Sequence, residues 1–379
     1  MRPTASSPWK MDEPVEVRTL VGPVPNSPLP TPHSQSVRQL LNTLYVTTEG
    51  AYLHLDHDTV RMEVDDETKA QIPLHHLGAI VGFGNVLVSP ALMGRCADDG
   101  RAVVFMTRTG RFRARVVGPQ TGNVLLRKAQ HEQSEDSSAA REIARAIVAG
   151  KIKNSRRLVV RAARMTEGNG ATAALDDAKQ RLAGTLRLLE DEATLDGVRG
   201  HEGTAAKIYF EVFSHQIRQQ KESFGLDGRT RRPPRSRLNA VLSFLYTLLC
   251  NDCEAAAEGV GLDPQIGFLH AARPGRPSLG LDLMEELRAP LADRLALTLV
   301  NRRQLTPDDF RERDGGAVLL NEDGRETVVV AYQERKQDTI THPVLDQEIE
   351  IGLLPHAQAR LLARHLRGDL DQYVPYLLR

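Results

Sequence analysis

The chain has 379 residues, long enough for a proper core and for two or three domains at ~150 residues each. Lys+Arg and Asp+Glu both total 49, so net charge selects no class of partner, and three cysteines are too few for a disulfide framework. No run of ~18 apolar residues and no charged-then-apolar opening segment is present, so the expectation is a soluble, cytoplasmic protein.

Residues 1–36 carry eight prolines and little periodicity, which reads as a disordered extension. From about Leu40 the pattern alternates with period two. Strands are expected over Thr43–Thr48, Ala51–Asp56, Thr59–Val64, Leu77–Val81, Ala102–Met106 and Arg111–Val117. Ser89-Pro90 starts a short helix between them, an N-cap followed by proline at the first helical position. Residues 37–118 thus form a small β-domain, and Gly118-Pro-Gln-Thr-Gly122 leads into a hinge at 119–123.

Beyond the hinge the period becomes helical. Helices are expected over Val124–Gln130, Ser138–Ile152, Ser155–Met165, Ala173–Asp191, Gly203–Lys221 and Arg237–Gly259, then over Leu279–Arg288, Leu291–Gln304 and His356–Gly368. One hairpin is expected to interrupt them, Ala317–Leu320 with Thr327–Tyr332 around Asn321-Glu-Asp-Gly324. The fold class is α+β, a small N-terminal β-domain followed by a larger, mainly helical domain over 124–379. Cys250-x-x-Cys253 falls in an apolar helix, where cysteine behaves as a small hydrophobe, so the pair reads as core.

Charge is segregated along this second half. Lys151–Arg164 holds six basic residues and no acid, and Arg229–Arg237 holds five arginines. Lys151, Arg157, Arg161, Arg231, Arg232, Arg235 and Arg237 are therefore candidate phosphate contacts. Among the possible ligands, His270 sits in a Gly/Pro-rich loop, Asp282 and Glu285 share a helix face at i,i+3, and Glu202 is expected to open another helix. One nitrogen with several oxygens suits a hard divalent ion, Mg²⁺ or Mn²⁺, and such ions serve phosphoryl transfer. Plainer readings stand beside this one. Glu202 favours the positive end of its helix, Asp282 and Glu285 form a solvated face, and His270 is a hydrogen-bonded loop histidine. A zinc-protease motif is excluded because Ala205 stands where its second histidine belongs, and neither phosphate-binding glycine loop is present.

Several ordered segments together resemble the CRISPR-associated integrase, the metal-dependent nuclease of spacer acquisition. They are Leu41-Asn-Thr-Leu-Tyr-Val, Gly122-Asn-Val-Leu-Leu-Arg-Lys-Ala-Gln130, Gly150-Lys-Ile-Lys-Asn154 and His201-Glu-Gly-Thr-Ala-Ala-Lys-Ile-Tyr-Phe210. Arg231-Arg-Pro-Pro234, Asn239-Ala-Val-Leu-Ser-Phe-Leu-Tyr246, Gly267-Phe-Leu-His270 and Ser278-Leu-Gly-Leu-Asp-Leu-Met-Glu-Glu-Leu-Arg288 complete the set. The end, Arg367-Gly-Asp-Leu-Asp-Gln-Tyr-Val-Pro-Tyr-Leu-Leu-Arg379, is similar to members of subtype I-C. The resemblance implies a catalytic metal on Glu202, His270 and Glu285, with Asp282 close by as a supporting group or alternative ligand. It also implies a homodimer through the β-domains, bridged by a small ferredoxin-like partner to hold prespacer and repeat DNA. An iron–sulfur nuclease of the same system is a further candidate partner. The rival readings are a stand-alone nuclease for branched DNA or repair intermediates and a non-catalytic DNA-binding scaffold.

Overall fold

The computed structural model describes residues 43–378 apart from 47, 109–111, 117, 119–123, 167, 227 and 231–232. The expected extension, the hinge, and Arg231 and Arg232 lie outside the described residues. The N-terminal region runs β1 (Thr43–Val46), β2 (Tyr52–Asp56), β3 (Thr59–Val64), β4 (Glu67–Pro73), β5 (Ala79–Phe83), β6 (Leu87–Val88), α1 (Pro90–Asp98), β7 (Ala102–Met106) and β8 (Phe112–Val116). Two four-stranded sheets result, ordered β1-β5-β7-β8 and β4-β3-β2-β6.

The first sheet separates two cores. Period-two alternation sends Leu44, Val46, Ile80 and Val103 to one face, where they join Leu53, Val60 and Leu92 in a small β-core. Tyr45, Val81, Phe83, Val104 and Met106 point the other way into the large core of the helical domain. Phe83 meets Phe244 there at 6.0 Å between ring centroids. Arg115 on β8 is buried against the ion partners Glu258 and Glu254, the latter at 3.4 Å, which ties the sheet to the helical domain.

The helical domain comprises α2 (Val124–Glu135), α3 (Ser137–Met165), α4 (Asn169–Glu190), α5 (Leu195–Glu211), α6 (Lys221–Phe224), α7 (Arg237–Gly259), α8 (Ser278–Leu287) and α9 (Arg294–Asn301). It continues with β9 (Phe310–Arg313), β10 (Ala317–Leu320), α10 (Glu322–Gln337), β11 (Thr339–His342), β12 (Gln347–Glu350) and α11 (Leu354–Leu366). Helix α7 is the central strut; Leu238, Val241, Leu242, Leu245 and Leu249 on it are all fully buried. Cys253 is buried on the same helix, and its thiol is pushed well up by burial, as expected of a core cysteine.

Four expectations are corrected. Strand β4 is unforeseen because six of its seven positions are partly or wholly exposed, and its turn, Asp65-Asp66, holds two positive φ values without a glycine. The two helices expected over 138–165 are one, α3. The helix expected over 203–221 starts earlier, at Leu195, where Thr194 caps it by accepting from Gly197 N at 3.0 Å, and it ends at Glu211 before the short α6. The expected hairpin is absent: β10 pairs with β9, and Thr327–Tyr332 belongs to α10. Asn321 is that helix's N-cap, accepting from Gly324 N at 2.9 Å. Burying Val328, Val329, Tyr332 and Lys336 on one helical face outweighs the β-propensity of the valines.

The C-terminal segment straps across α3 and α8. Asn154 Nδ2 donates to the carbonyls of Glu286 and Tyr376, each at 2.8 Å, and Leu378 N donates to Asn154 Oδ1 at 2.7 Å. Gly150 lets the strap approach, since a Cβ there would lie 2.7 Å from Pro375 Cβ. Burial pushes Glu286 up to about 8, although Tyr373, Gln358 and the Tyr376 amide all donate to it. Tyr373→Phe is expected to cost about 1–3 kcal/mol, because it removes a 2.6 Å donor from a fully buried acid. Denaturant unfolding of the variant beside the wild type measures it.

Candidate metal centre and its cleft

Helix α8 is buried nearly all round, so Asp282 and Glu285 are not a solvated face: they are 0% and 2% exposed. Glu202 lies in the body of α5, seven residues past its start, so attraction to the helix terminus does not explain it. A loop, a helix and two further helices bring these side chains together.

The loop is held first. Gln130 on α2 is fully buried and donates to the carbonyls of Asp263 and Ile266 at 2.8 and 2.7 Å, while Asp263 N donates back to it at 2.8 Å. The chain then turns at Gly267, where a Cβ would come within 2.8 Å of Asp282 Oδ2. Phe268 N and Leu269 N donate to that oxygen at 2.6 and 3.0 Å, and His270 N donates to Oδ1 at 3.0 Å. His270 Nδ1 also meets Oδ1, at 2.7 Å. A carboxylate this crowded by donors accepts the Nδ1 proton bond, which leaves the lone pair of the imidazole on Nε2. Both oxygens of Asp282 are taken up by these bonds, which fasten the loop and the imidazole to α8.

His270 Nε2 lies 3.8 Å from Glu285 Oε1, beyond hydrogen-bond reach. Glu285 is held by Arg288 Nη2 at 2.9 Å and by Lys151 Nζ, which lies 2.6 Å from Oε2 as an ion contact rather than an aligned hydrogen bond. The same ammonium pairs with Glu202 Oε1. Burial alone would raise the Glu285 acid; Arg288, then Lys151 and His270, outweigh it and bring it down to about 2. Among the described residues no three His, Cys, Asp or Glu side chains close on one point. Glu202 and Glu285 meet only across Lys151. The donors nevertheless suit a hard divalent ion in kind: two carboxylates share one ammonium, and a bare imidazole nitrogen lies 3.8 Å from one of them.

Residues 44–334 match the family model described as CRISPR associated protein Cas1. The chain belongs to the Cas1 family. A Moorella thermoacetica protein named CRISPR-associated endonuclease Cas1 1 is 54% identical over 340 residues, spanning 90% of this chain and 99% of its own length. Among solved structures, a Cas1 protein from Thermotoga maritima superposes with a TM-score of 0.74 at 24% identity, covering 88% of this chain and 98% of its own. A casposase bound to integration product gives 0.73 at 21% identity, covering 88% and 92%. At those identities the two structures speak to the Cas1 fold alone.

In this Cas1 chain the centre opens into a cleft of about 270 Å³ lined by Arg199, Glu202, Leu269, His270, Ala271, Arg273 and Arg276. Its three arginines escaped the sequence reading, although Arg199 stands one turn before Glu202 on α5, and Arg273-Pro-Gly-Arg276 continues the histidine loop. Arg199 also braces that loop, donating to Leu269 O at 2.8 Å. A larger cavity of about 550 Å³ beside Arg235 is lined by Ser214, Gly225, Leu226, Thr230, Ser236 and Asn239 and presents no carboxylate or imidazole for the chemistry.

The proposed phosphate contacts divide. Arg235, Arg157 and Arg161 are exposed. Arg237 is half-buried, donating to Ser223 O at 3.2 Å and facing Glu312 at 3.7 Å. Lys151 does not belong with Arg157 and Arg161: at about 100° per residue they project roughly 120° and 80° away from it around α3, and both are exposed where it is buried. It falls instead on the buried stripe Ala144, Ile147, Val148, Lys151, Ser155, Leu158 and Ala162. That helical spacing was the signal for an inward ammonium.

Proposed function

We propose that this chain is a metal-dependent DNA endonuclease and integrase that inserts prespacer DNA into a CRISPR array. The observation that carries it is a carboxylate pair, Glu202 and Glu285, sharing one ammonium, with an oriented imidazole 3.8 Å from Glu285, at the foot of an arginine-lined cleft. Membership of the Cas1 family, and 54% identity to a protein named as its endonuclease, support the reading.

In this reading Glu202, His270 through Nε2, and Glu285 hold Mg²⁺ or Mn²⁺. When bound, such an ion supplies Lewis-acid stabilisation of the charge that develops on the scissile phosphate. Asp282 keeps Nδ1 protonated and the imidazole aimed. Arg199, Arg273 and Arg276 hold the flanking phosphates at the mouth of the cleft. The prespacer 3′-hydroxyl attacks the repeat-border phosphodiester in line; one P–O bond forms as another breaks, so the exchange consumes no nucleotide energy. Water in place of that hydroxyl gives cleavage. Residues 37–118 form the dimer contact and a small ferredoxin-like protein bridges two dimers. The C-terminal run supports an I-C-like subtype, with an iron–sulfur nuclease as a further partner, and the setting is the cytoplasm. Among the described residues no helix is long and apolar enough to cross a membrane.

The test is a strand-transfer assay with purified protein, labelled prespacer and a repeat-bearing plasmid, run with and without the small partner. Joined product that requires both the partner and a divalent ion is expected. Cleavage without joining, indifferent to the partner, would identify a stand-alone nuclease instead.

Arg157 and Arg161 are expected to serve DNA affinity and not chemistry. Replacing both with alanine should weaken binding of all duplex sequences alike and flatten the log–log salt dependence by roughly two units, about 0.9 per phosphate contact. A salt titration by fluorescence anisotropy measures this, and an unchanged slope would remove the pair from the interface.

A further inference from the structure

Lys151 is a buried cation at this centre whose presence the proposed ion does not explain. Its side chain is 9% exposed, it rides the buried stripe of α3, and its ammonium touches both Glu202 and Glu285. Glu285 already faces two cations, Lys151 and Arg288, and Lys151 pairs with Glu202 as well. A divalent ion entering among the same oxygens would stand beside that ammonium at contact distance, in a site largely removed from water. One cation has to leave. Arg288 is the less free of the two, since its guanidinium also stacks over the Tyr246 ring at 4.9 Å. The lysine carries its charge on a flexible four-carbon stem beside the open cleft.

We propose that Lys151 is an internal counter-cation that stands in for the divalent ion between Glu202 and Glu285, and that ion binding requires its expulsion. This rests on the metal reading given above and adds to it. With the ion absent, the ammonium keeps the two acids together and the helices α3, α5 and α8 in register. With the ion bound, the ammonium is displaced toward the cleft, where a phosphodiester replaces the carboxylates as its available counter-charge. The two cations therefore compete, and removing one should strengthen the other.

The test is Mn²⁺ binding by calorimetry and electron paramagnetic resonance on wild type and Lys151→Met, together with melting curves in chelator and in saturating Mn²⁺. Lys151→Met should bind Mn²⁺ about tenfold more tightly, within the ~5–150-fold range common for coupled sites. It should also melt lower than wild type in chelator and gain more on adding Mn²⁺. Lys151→Gln gives the same readings if the methionine variant does not fold, and Lys151→Arg should bind Mn²⁺ no more tightly than wild type. Equal or weaker Mn²⁺ binding by both uncharged variants, with wild type binding normally, overturns the competition and leaves the metal reading standing. Absence of Mn²⁺ binding in wild type and in both variants overturns the metal reading and this proposal together.

Discussion

His270→Ala is expected to reduce DNA cleavage and strand transfer by at least about 10³-fold, since several kcal/mol of charge stabilisation act only through a correctly held ion. Duplex DNA binding should change little, because the substitution removes none of the arginines proposed to meet phosphate. The fold should survive as well. The loop around His270 is fastened by the backbone amides of Phe268, Leu269 and His270 to Asp282, and by Gln130 further back, none of which needs the imidazole. Glu285→Gln should be nearly as damaging to turnover, and it should also leave Arg288 and Lys151 facing a neutral amide in a buried site. Single-turnover rates at saturating protein, with anisotropy to report binding, separate the two quantities. Strand transfer by His270→Ala at the wild-type rate would remove the imidazole from the centre.

Asp282→Asn is expected to act through His270 and to be milder, lowering metal affinity and turnover by about 10–100-fold, as changes behind a metal-bound histidine do. The carboxylate accepts from three backbone amides and the imidazole at once. An amide of the same shape brings two donors of its own into that ring of donors. If its NH₂ faces Nδ1, the imidazole moves its proton to Nε2 and loses the lone pair that meets the ion. Two readings distinguish this from a general loosening. Mn²⁺ binding should weaken while duplex DNA binding is unchanged, and Asp282→Glu should fail to rescue because Phe268 N and Leu269 N already lie 2.6 and 3.0 Å from Oδ2 and leave no room for a longer acid. Wild-type Mn²⁺ affinity in Asp282→Asn would show that the tautomer does not matter.

Much of this architecture was legible in the chain, for stated reasons. Strand β3 alternates Val60, Met62 and Val64 inward, and its hydrophobic pattern shows it. The polar strand β4 carries no such pattern, and the aspartates of its turn disguise a geometry that glycine usually marks. The run Thr327–Tyr332 looks like a strand by composition, and only the long-range burial of Val328 and Val329 makes it helical. In α5 the glycines at 197, 200 and 203 imitate a helix start, which hid the position of Glu202 in mid-helix. His270, Asp282 and Glu285 are close in sequence and share a helix and its flanking loop, so their meeting could be anticipated. Lys151 and Arg199 come from helices far along the chain, and composition alone placed Lys151 with solvated bases. The motif residues Gln130 and Asn154 gave no chemical hint because they bond to backbone; one positions the histidine loop and the other pins the C-terminal strap.

The central claim is that Glu202, His270 and Glu285 hold the divalent ion on which strand transfer depends. Its most direct test follows Mn²⁺ occupancy by electron paramagnetic resonance and the single-turnover transfer rate in the same samples, across a Mn²⁺ titration. The rate should rise in proportion to occupancy of a single class of sites, and both signals should vanish together in Glu202→Ala and in His270→Ala while DNA binding persists. Transfer that continues undiminished in chelator, or Mn²⁺ occupancy and rate unaltered by those substitutions, would contradict the account.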